Sequence, residues 1–285
     1  VAASVLFGTT GTAQALGPDA STPLTVGAVR LVIGGAALLA LVVVLGRRAQ
    51  ALSCLRRPAT YVLAAGILAY QPLFFMAAER TGVAVGALVA LGSGPLWTGA
   101  FAAATGAGAP SRAWWWSTLL AIGGLVMLTS AGSASVDGVG VLAALGAGAA
   151  YGVYTVAASR LVTSGLDAIT VVGVGFALAA VVVWPLLLLS DASWVATPSG
   201  AVAAVWLGVG ATALAYVCFA AGLRTLSAPT VASLTLVEPV VASALAVTLL
   251  GESWAVVQWV GAAVLLGALA LLGRHATRPA LVGGG

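Results

Sequence analysis

The sequence predicts an all-α membrane protein in which ten transmembrane helices form two inverted-topology five-helix repeats around a central cavity. Three observations predict it. First, 61% of the 285 residues are hydrophobic and only 6% are charged, against roughly 25% charged residues in a soluble globular domain. That is too little charge to solvate a water-facing surface of this size, which places the chain among polytopic membrane proteins. Second, the apolar residues gather into ten runs. Third, residues 144 positions apart match one another along the chain.

The runs cover about 1–16, 24–46, 59–78, 82–105, 113–130, 139–158, 168–190, 199–222, 227–250 and 254–273. Most approach the ~20 residues a helix needs to cross the hydrocarbon core. The first is read as a span and not as a cleaved signal peptide, because the repeat needs it. The chain begins at Val1 without a Met, and its true start is expected to be trimmed. Turn chemistry marks the breaks: GPDASTP (17–23), RRAQALSCLRRP (47–58), GSASVDG (132–138) and SDASWVATPSG (190–200). None of them has room for a soluble domain.

Arginine orients the spans. With a cytoplasmic N-terminus, Arg47, Arg48, Arg56, Arg57, Arg112, Arg160, Arg224, Arg274 and Arg278 fall inside, Arg80 falls outside and Arg30 lies within a span. That asymmetry follows the positive-inside rule and puts both termini in the cytoplasm. Asp19, Glu79, Asp137, Asp191 and Glu252 fall outside, although acids carry little topological weight. Trp114, Trp115 and Trp116 at one edge, and Trp194 and Trp254 at the other, are expected to be interfacial anchors.

The repeat is read from FMAAERTGVAVGALVALGSGPLW, starting at Phe75, against FAAGLRTLSAPTVASLTLVEPVV, starting at Phe219. Phe75 pairs with Phe219, Arg80 with Arg224, Thr81 with Thr225 and Pro95 with Pro239, always 144 apart. The offset continues through Trp115/Trp259 and Gly123/Gly267 and reaches back to Gly8/Gly152. The chain thus divides into residues 1–135 and 136–285. Five spans per half is an odd number, so the second half enters the membrane upside down. Secondary transporters use that architecture and handle substrate near the midplane between the halves.

Other chemistries are excluded. The chain has no Lys, so it holds no Walker A loop, and no Asn, so it holds no N-glycosylation acceptor. A single His, His275, rules out an HExxH zinc site. Ser93 in LGSG has no histidine within the membrane to activate it, which removes an intramembrane hydrolase. Cys54 and Cys218 are expected as free thiols. The net charge of +4 is dispersed and forms no nucleic-acid footprint. No cofactor is expected. The partners expected are a small-molecule substrate and membrane lipid, with a monomer or weak homodimer as the assembly.

Four stretches carry a resemblance: TPLTVGAVRLVIGGAALLAL (22–41), FFMAAERTGVAVGALVALGSGPL (74–96), AYGVYTVAASRL (150–161) and GVGATALAYVCFAAGLRTLSAPTVASLTLVEPVVASALAVTLLGE (208–252). Together they resemble the drug/metabolite transporter superfamily, in its ten-helix EamA-type members, over nearly the whole chain. The resemblance implies a small-metabolite exporter of a bacterial plasma membrane, closest in kind to amino-acid exporters of the YddG type, with aromatic amino acids among the substrates. It also implies a cavity lined by the first, third, fourth, sixth, eighth and ninth spans, with the fifth and tenth peripheral. One departure separates the halves: LLGE follows the ninth run, whereas GAGAPSR follows the fourth. Drug or metabolite efflux by proton antiport, a channel and a non-transporting sensor are the alternatives.

Within this frame Glu238 stands out. LVEPVV (236–241) puts a carboxylate inside an apolar run. A charge at the bilayer centre costs at least ~2.5–3.5 kcal/mol, so Glu238 is expected to face protein or a water-filled cavity. Pro239 removes a backbone donor and frees the carbonyl of Thr235. Glu238 is open to three roles: an anchor for a substrate ammonium group, a proton carrier, or a structural acid hydrogen-bonded around the kink. Gly92, Ser93, Gly94 and Pro95 are expected to make a matching break in the fourth span. Its backbone N–H groups either receive a substrate carboxylate or pack a kink, and Trp97 just beyond is a cavity wall or faces lipid. Arg30 is read as snorkelling outward or pairing with Asp19 or Glu79, with a substrate-carboxylate role as the alternative. Gln14, Tyr70, Gln71, Phe75, Tyr151, Tyr154, Tyr216, Ser233 and Ser243 supply polar and aromatic groups. Singly each suits helix–helix hydrogen bonding; together they suit an aromatic-walled substrate cavity. The GxxxG spacings at Gly82/Gly86 and Gly148/Gly152 suit close packing.

Overall fold

Helix starts are written into the polar breaks. A Ser, Thr or Asp side chain just before an apolar run can accept an orphan backbone N–H. Thr22, Ser111, Asp137, Asp167, Thr197 and Ser227 all do so. The computed structural model describes residues 1–18, 21–130 and 137–276, and among these every regular element is helical. Asp19 and most of the GSASVDG break lie outside the described residues.

The elements are α1 (Ala2–Ala15), α2 (Pro23–Val44), α3 (Arg48–Leu55), α4 (Pro58–Thr81), α5 (Val83–Ala104), α6 (Arg112–Leu128), α7 (Gly138–Thr163) and α8 (Ala168–Leu189). A single 3-10 turn (Ser193–Ala196) then precedes α9 (Pro198–Val205), a wide π segment (Trp206–Leu214) and α10 (Ala215–Leu223), which form one rod. Next come α11 (Ala228–Leu234) and α12 (Val237–Leu250), followed by α13 (Val256–Ala276). Eight of these rods, counting 198–223 and 228–250 as one each, are long and apolar enough to cross a membrane. α1, with 14 residues, and α6, with 17, are shorter. The chain is therefore a multi-pass membrane protein.

The outer surface is apolar, as lipid requires. Val44, Trp116, Val181, Leu188, Leu189 and Val256 are all exposed. Between helices the driving force is close packing, because lipid is as apolar as leucine. α2 packs on α8, α6 on α13, α4 on α7 and α5 on α7; α1 packs on α12 and on the π segment. Glycine permits these approaches. A Cβ at Gly124 would lie 2.6 Å from the Leu265 backbone N, and one at Gly152 would lie 2.9 Å from that of Thr98. At Gly82 a φ of 80° turns the chain from α4 into α5.

Contacts between breaks join breaks assigned to the same side. Arg47 pairs with Asp167, and the Arg160 guanidinium donates to the Thr105 carbonyl. At the other end, Arg80 lies 3.9 Å from Asp137, and Trp194 Nε1 donates to Thr25 Oγ1 at 3.2 Å. Asp167 carries most at its end. Its Oδ2 accepts from the Thr170 N–H at 2.9 Å while facing Arg47. Asp167→Ala is expected to cost about 1–2 kcal/mol, read as a lower thermal midpoint of the purified protein. Asp167→Asn keeps the cap and loses only the charge, so it should cost clearly less.

Several expectations are corrected. RRAQALSCLRRP contains α3, closed onto α4 by the Thr60 hydroxyl donating to the Cys54 carbonyl at 2.6 Å. Trp115 and Trp116 are exposed, but Trp114 and Trp194 are 3% exposed and belong to the core, not to an interfacial belt. Trp114 fills the space beside Gly99, and Trp194 is hydrogen-bonded to Thr25. Gly92–Pro95 does not break α5, which runs unbroken through Pro95. Its small residues instead bring α5 onto α7: a Cβ at Gly148 would lie 2.2 Å from Ser93 Oγ and 2.9 Å from the Ala90 carbonyl.

Candidate functional site

The one interruption the sequence placed correctly lies between α11 and α12, at Thr235 and Leu236. Pro239 sits in the first turn of α12, where a missing N–H costs nothing. The Thr235 carbonyl is not left for a side chain. It accepts the backbone N–H of Glu238 at 2.8 Å in a tight turn. Glu238 thereby lands in the first turn of α12, where the helix dipole favours a negative charge.

Its side chain enters the wall of a cavity of about 70 Å³ enclosed by α1, α2, α4, α5, α7, α8, the π segment, α10 and the α11–α12 break. No side-chain hydrogen bond or ion pair among the described residues engages its carboxylate. The two ion pairs there are Arg47–Asp167 and Arg80–Asp137. A structural acid is held by partners, because a buried polar group left unpaired costs free energy. Glu238 has a cavity in that place.

Aromatic rings with polar tips form the rest of the wall. Tyr154 and Tyr216 join their hydroxyls at 3.0 Å, and the Tyr151 hydroxyl meets Thr235 Oγ1 at 2.9 Å. Tyr70 lies 6.4 Å from Tyr151, centroid to centroid, while Phe7 and Phe176 contact Tyr216 edge-on and tilted, at 5.1 and 4.1 Å. Gln71 completes the polar set. Burial explains the mutual hydroxyl contacts, since each phenol needs a partner once removed from water.

Arg30 also lines this cavity. It neither snorkels outward nor pairs with Glu79, which is exposed; Asp19 lies outside the described residues. Arg30 Nε donates to Thr212 Oγ1 at 3.2 Å, and Nη2 reaches the Ala211 carbonyl at 3.5 Å. The π segment creates this seat. There the Thr212 hydroxyl donates to the Leu207 carbonyl five residues back, at 2.7 Å, and its oxygen is left to receive Arg30. Such wide turns concentrate at functional positions.

Of the residues read from the sequence, Glu238, Tyr70, Gln71, Tyr151, Tyr154 and Tyr216 come together here. Six do not line this cavity. Ser93 is buried between α5 and α7, its hydroxyl 3.4 Å from the Ala90 carbonyl. Trp97 is 36% exposed and stacks on Phe101. Ser233 is fully buried and bonds Thr118 on α6 at 2.8 Å. Ser243 is half-buried farther along α12. Phe75 lines a neighbouring cavity. Gln14 is half-buried near the end of α1, also outside the cavity. Sequence reasoning missed Phe7, Thr212 and Thr235 in the wall. It also missed that the second and seventh runs contribute, through Arg30 and Phe176. The Arg30 charge inside a span was the available signal.

The model of the EamA-like transporter family matches residues 1–130 and 138–274. A Bacillus subtilis (strain 168) protein named as the uncharacterized transporter YwfM is 39% identical over 265 residues, covering 93% of this chain and 88% of that protein. A solved crystal structure superposes with a TM-score of 0.80 at 24% identity, covering 96% of this chain and 95% of that one; it shows a shared fold.

Proposed function

Because the chain belongs to the EamA-like transporter family, and so is a membrane transporter with a small-molecule substrate, we propose that it exports amino acids by alternating access. Ten spans form two inverted halves, residues 1–135 and 136–285, which rock about the cavity between them. Glu238 anchors the substrate ammonium group. The observation that carries this reading is the Glu238 carboxylate, without a hydrogen-bond or ion-pair partner among the described residues, in a tyrosine-walled cavity built from both halves.

The packing supports the two-fold arrangement. Shifted by 144, α6 (Arg112–Leu128) falls on the start of α13 (Val256–Ala276), and α5 falls on α11–α12. A two-fold axis lets elements beside it pack on their own counterparts, as α2 does on α8 and α6 on α13. It also requires α4 on α7 to be mirrored by the π segment and α10 on α1, as it is. The two separate stretches matched by the family model divide the chain at the same place.

Both termini lie in the cytoplasm of a bacterial cell, with the protein in the plasma membrane. The arginine asymmetry and the same-side pairing of breaks support that orientation. With Cys54 and Cys218 replaced, an impermeant thiol reagent added to intact cells should leave a cysteine at Leu52 unlabelled; labelling there reverses the orientation. The substrate reading is tested by flux. Proteoliposomes loaded with individual amino acids should release a subset of them faster than protein-free vesicles, with and without a pH gradient. Release of none, with release of another metabolite class, rejects the amino-acid reading.

A further inference from the structure

The central cavity is lined by two opposite charges. Arg30 and Glu238 both line it, yet no ion pair joins them. Thr212 and Ala211 engage two N–H groups of Arg30. A guanidinium has five donors in a planar fork, so the remaining ones are left for the cavity side. Glu238 offers carboxylate oxygens without a donor among the described residues. A guanidinium fork matches a carboxylate, and a carboxylate matches an ammonium group. A ligand satisfying both charges at once carries both complements.

A second chamber adjoins the first. It measures about 120 Å³, lies between α2, α4 and α8, and shares Leu31 and Gln71 with the central cavity as common wall. Apart from Gln71 its side chains are apolar, among them Leu68 and Phe75 on the inner side and the exposed Leu24 and Leu186 where it opens outward. Gly27 gives Phe75 its position: a Cβ there would lie 2.7 Å from the ring. Behind a charged chamber, an apolar one suits the uncharged end of the same ligand.

We propose that the site selects a zwitterion with an apolar side chain, Arg30 holding its carboxylate, Glu238 its ammonium group, and the chamber behind Gln71 its side chain. The proposal rests on the cavity being the transport site. It makes Arg30 a specificity determinant and disfavours amines lacking a carboxylate.

The test is binding to the purified full-length protein, using L-phenylalanine, phenethylamine, 3-phenylpropionate and L-alanine. The wild type should bind phenylalanine at least ~10-fold more tightly than either analogue lacking one charge. Arg30→Gln should erase the advantage over phenethylamine and leave phenethylamine binding unchanged. Glu238→Gln should do the same for 3-phenylpropionate. Leu68→Trp, filling the apolar chamber, should weaken phenylalanine and spare alanine. Loss of phenethylamine binding in Arg30→Gln, in step with phenylalanine, would make Arg30 structural and overturn the proposal. Equal binding of phenylalanine and phenethylamine by the wild type overturns it too, needs no variant to fold, and leaves the amino-acid reading standing. Failure of both amino acids to bind overturns the two together.

Discussion

Glu238→Gln is expected to keep the protein folded and to reduce transport by about 10- to 100-fold, the loss of one charge-assisted hydrogen bond to the substrate. The amide conserves shape and removes charge. Among the described residues nothing depends on that charge through a side-chain hydrogen bond, and the α11–α12 turn is closed by the Glu238 backbone, which the substitution leaves in place. The thermal midpoint should therefore stay within a degree or two of wild type or rise slightly, because a desolvated charge is removed. The measurement is initial flux per folded molecule in proteoliposomes, beside thermal unfolding of the same preparation. A structural acid gives the reverse: a lower midpoint with flux per folded molecule unchanged. If Glu238 carries protons and does not anchor substrate, the variant loses dependence on a pH gradient while exchange down a substrate gradient survives.

Gly148→Val is expected to separate α5 from α7 and to cost about 1–3 kcal/mol through overpacking. Ser93 Oγ, at 2.2 Å from the new Cβ, can rotate away. The Ala90 carbonyl at 2.9 Å and the Gly94 backbone N at 3.2 Å cannot move without their helix. The damage reaches the cavity, since Gly94 lies close against the Tyr151 ring (a Cβ there would come within 3.1 Å of it) and Tyr151 is part of the wall. The thermal midpoint and the yield of monodisperse protein should both fall, together with flux. Gly123→Ala is the control: nothing lies within 4 Å of its Cβ position, and alanine favours the helix. A Gly148→Val protein as stable as the control would show that the α5–α7 seam is looser than its geometry.

Much of the site was legible because charge is scarce. With seven acids in 285 residues, one inside an apolar run has few tolerable environments, and Glu238 faces the interior as the cost of an isolated charge requires. Tyr70, Gln71, Tyr151, Tyr154 and Tyr216 were legible for a similar reason: each carries a polar tip that lipid cannot satisfy. Ser93 and Ser233 failed under the same rule. A small hydroxyl is satisfied by a nearby carbonyl or by another hydroxyl, as at Ala90 and Thr118, so it need not reach a cavity. Arg30 was misjudged because its length allows both directions, and the π segment that seats it has no sequence signature.

The sequence by itself determined the class, the long apolar helices, most of their ends and the inward position of Glu238, but not α3. Composition fixes the solvent, run length fixes the helices, and Ser, Thr and Asp caps fix where they start. Tertiary structure alone decided which face of each helix looks inward. In a soluble protein amphipathicity makes that choice. Here lipid and interior are equally apolar, so a helix such as α5 carries no marked stripe, and its rotation is set by where glycines let a neighbour approach. That is why Gly148 against Ser93, Trp114 in the core and Arg30 on Thr212 emerged only once the helices were packed.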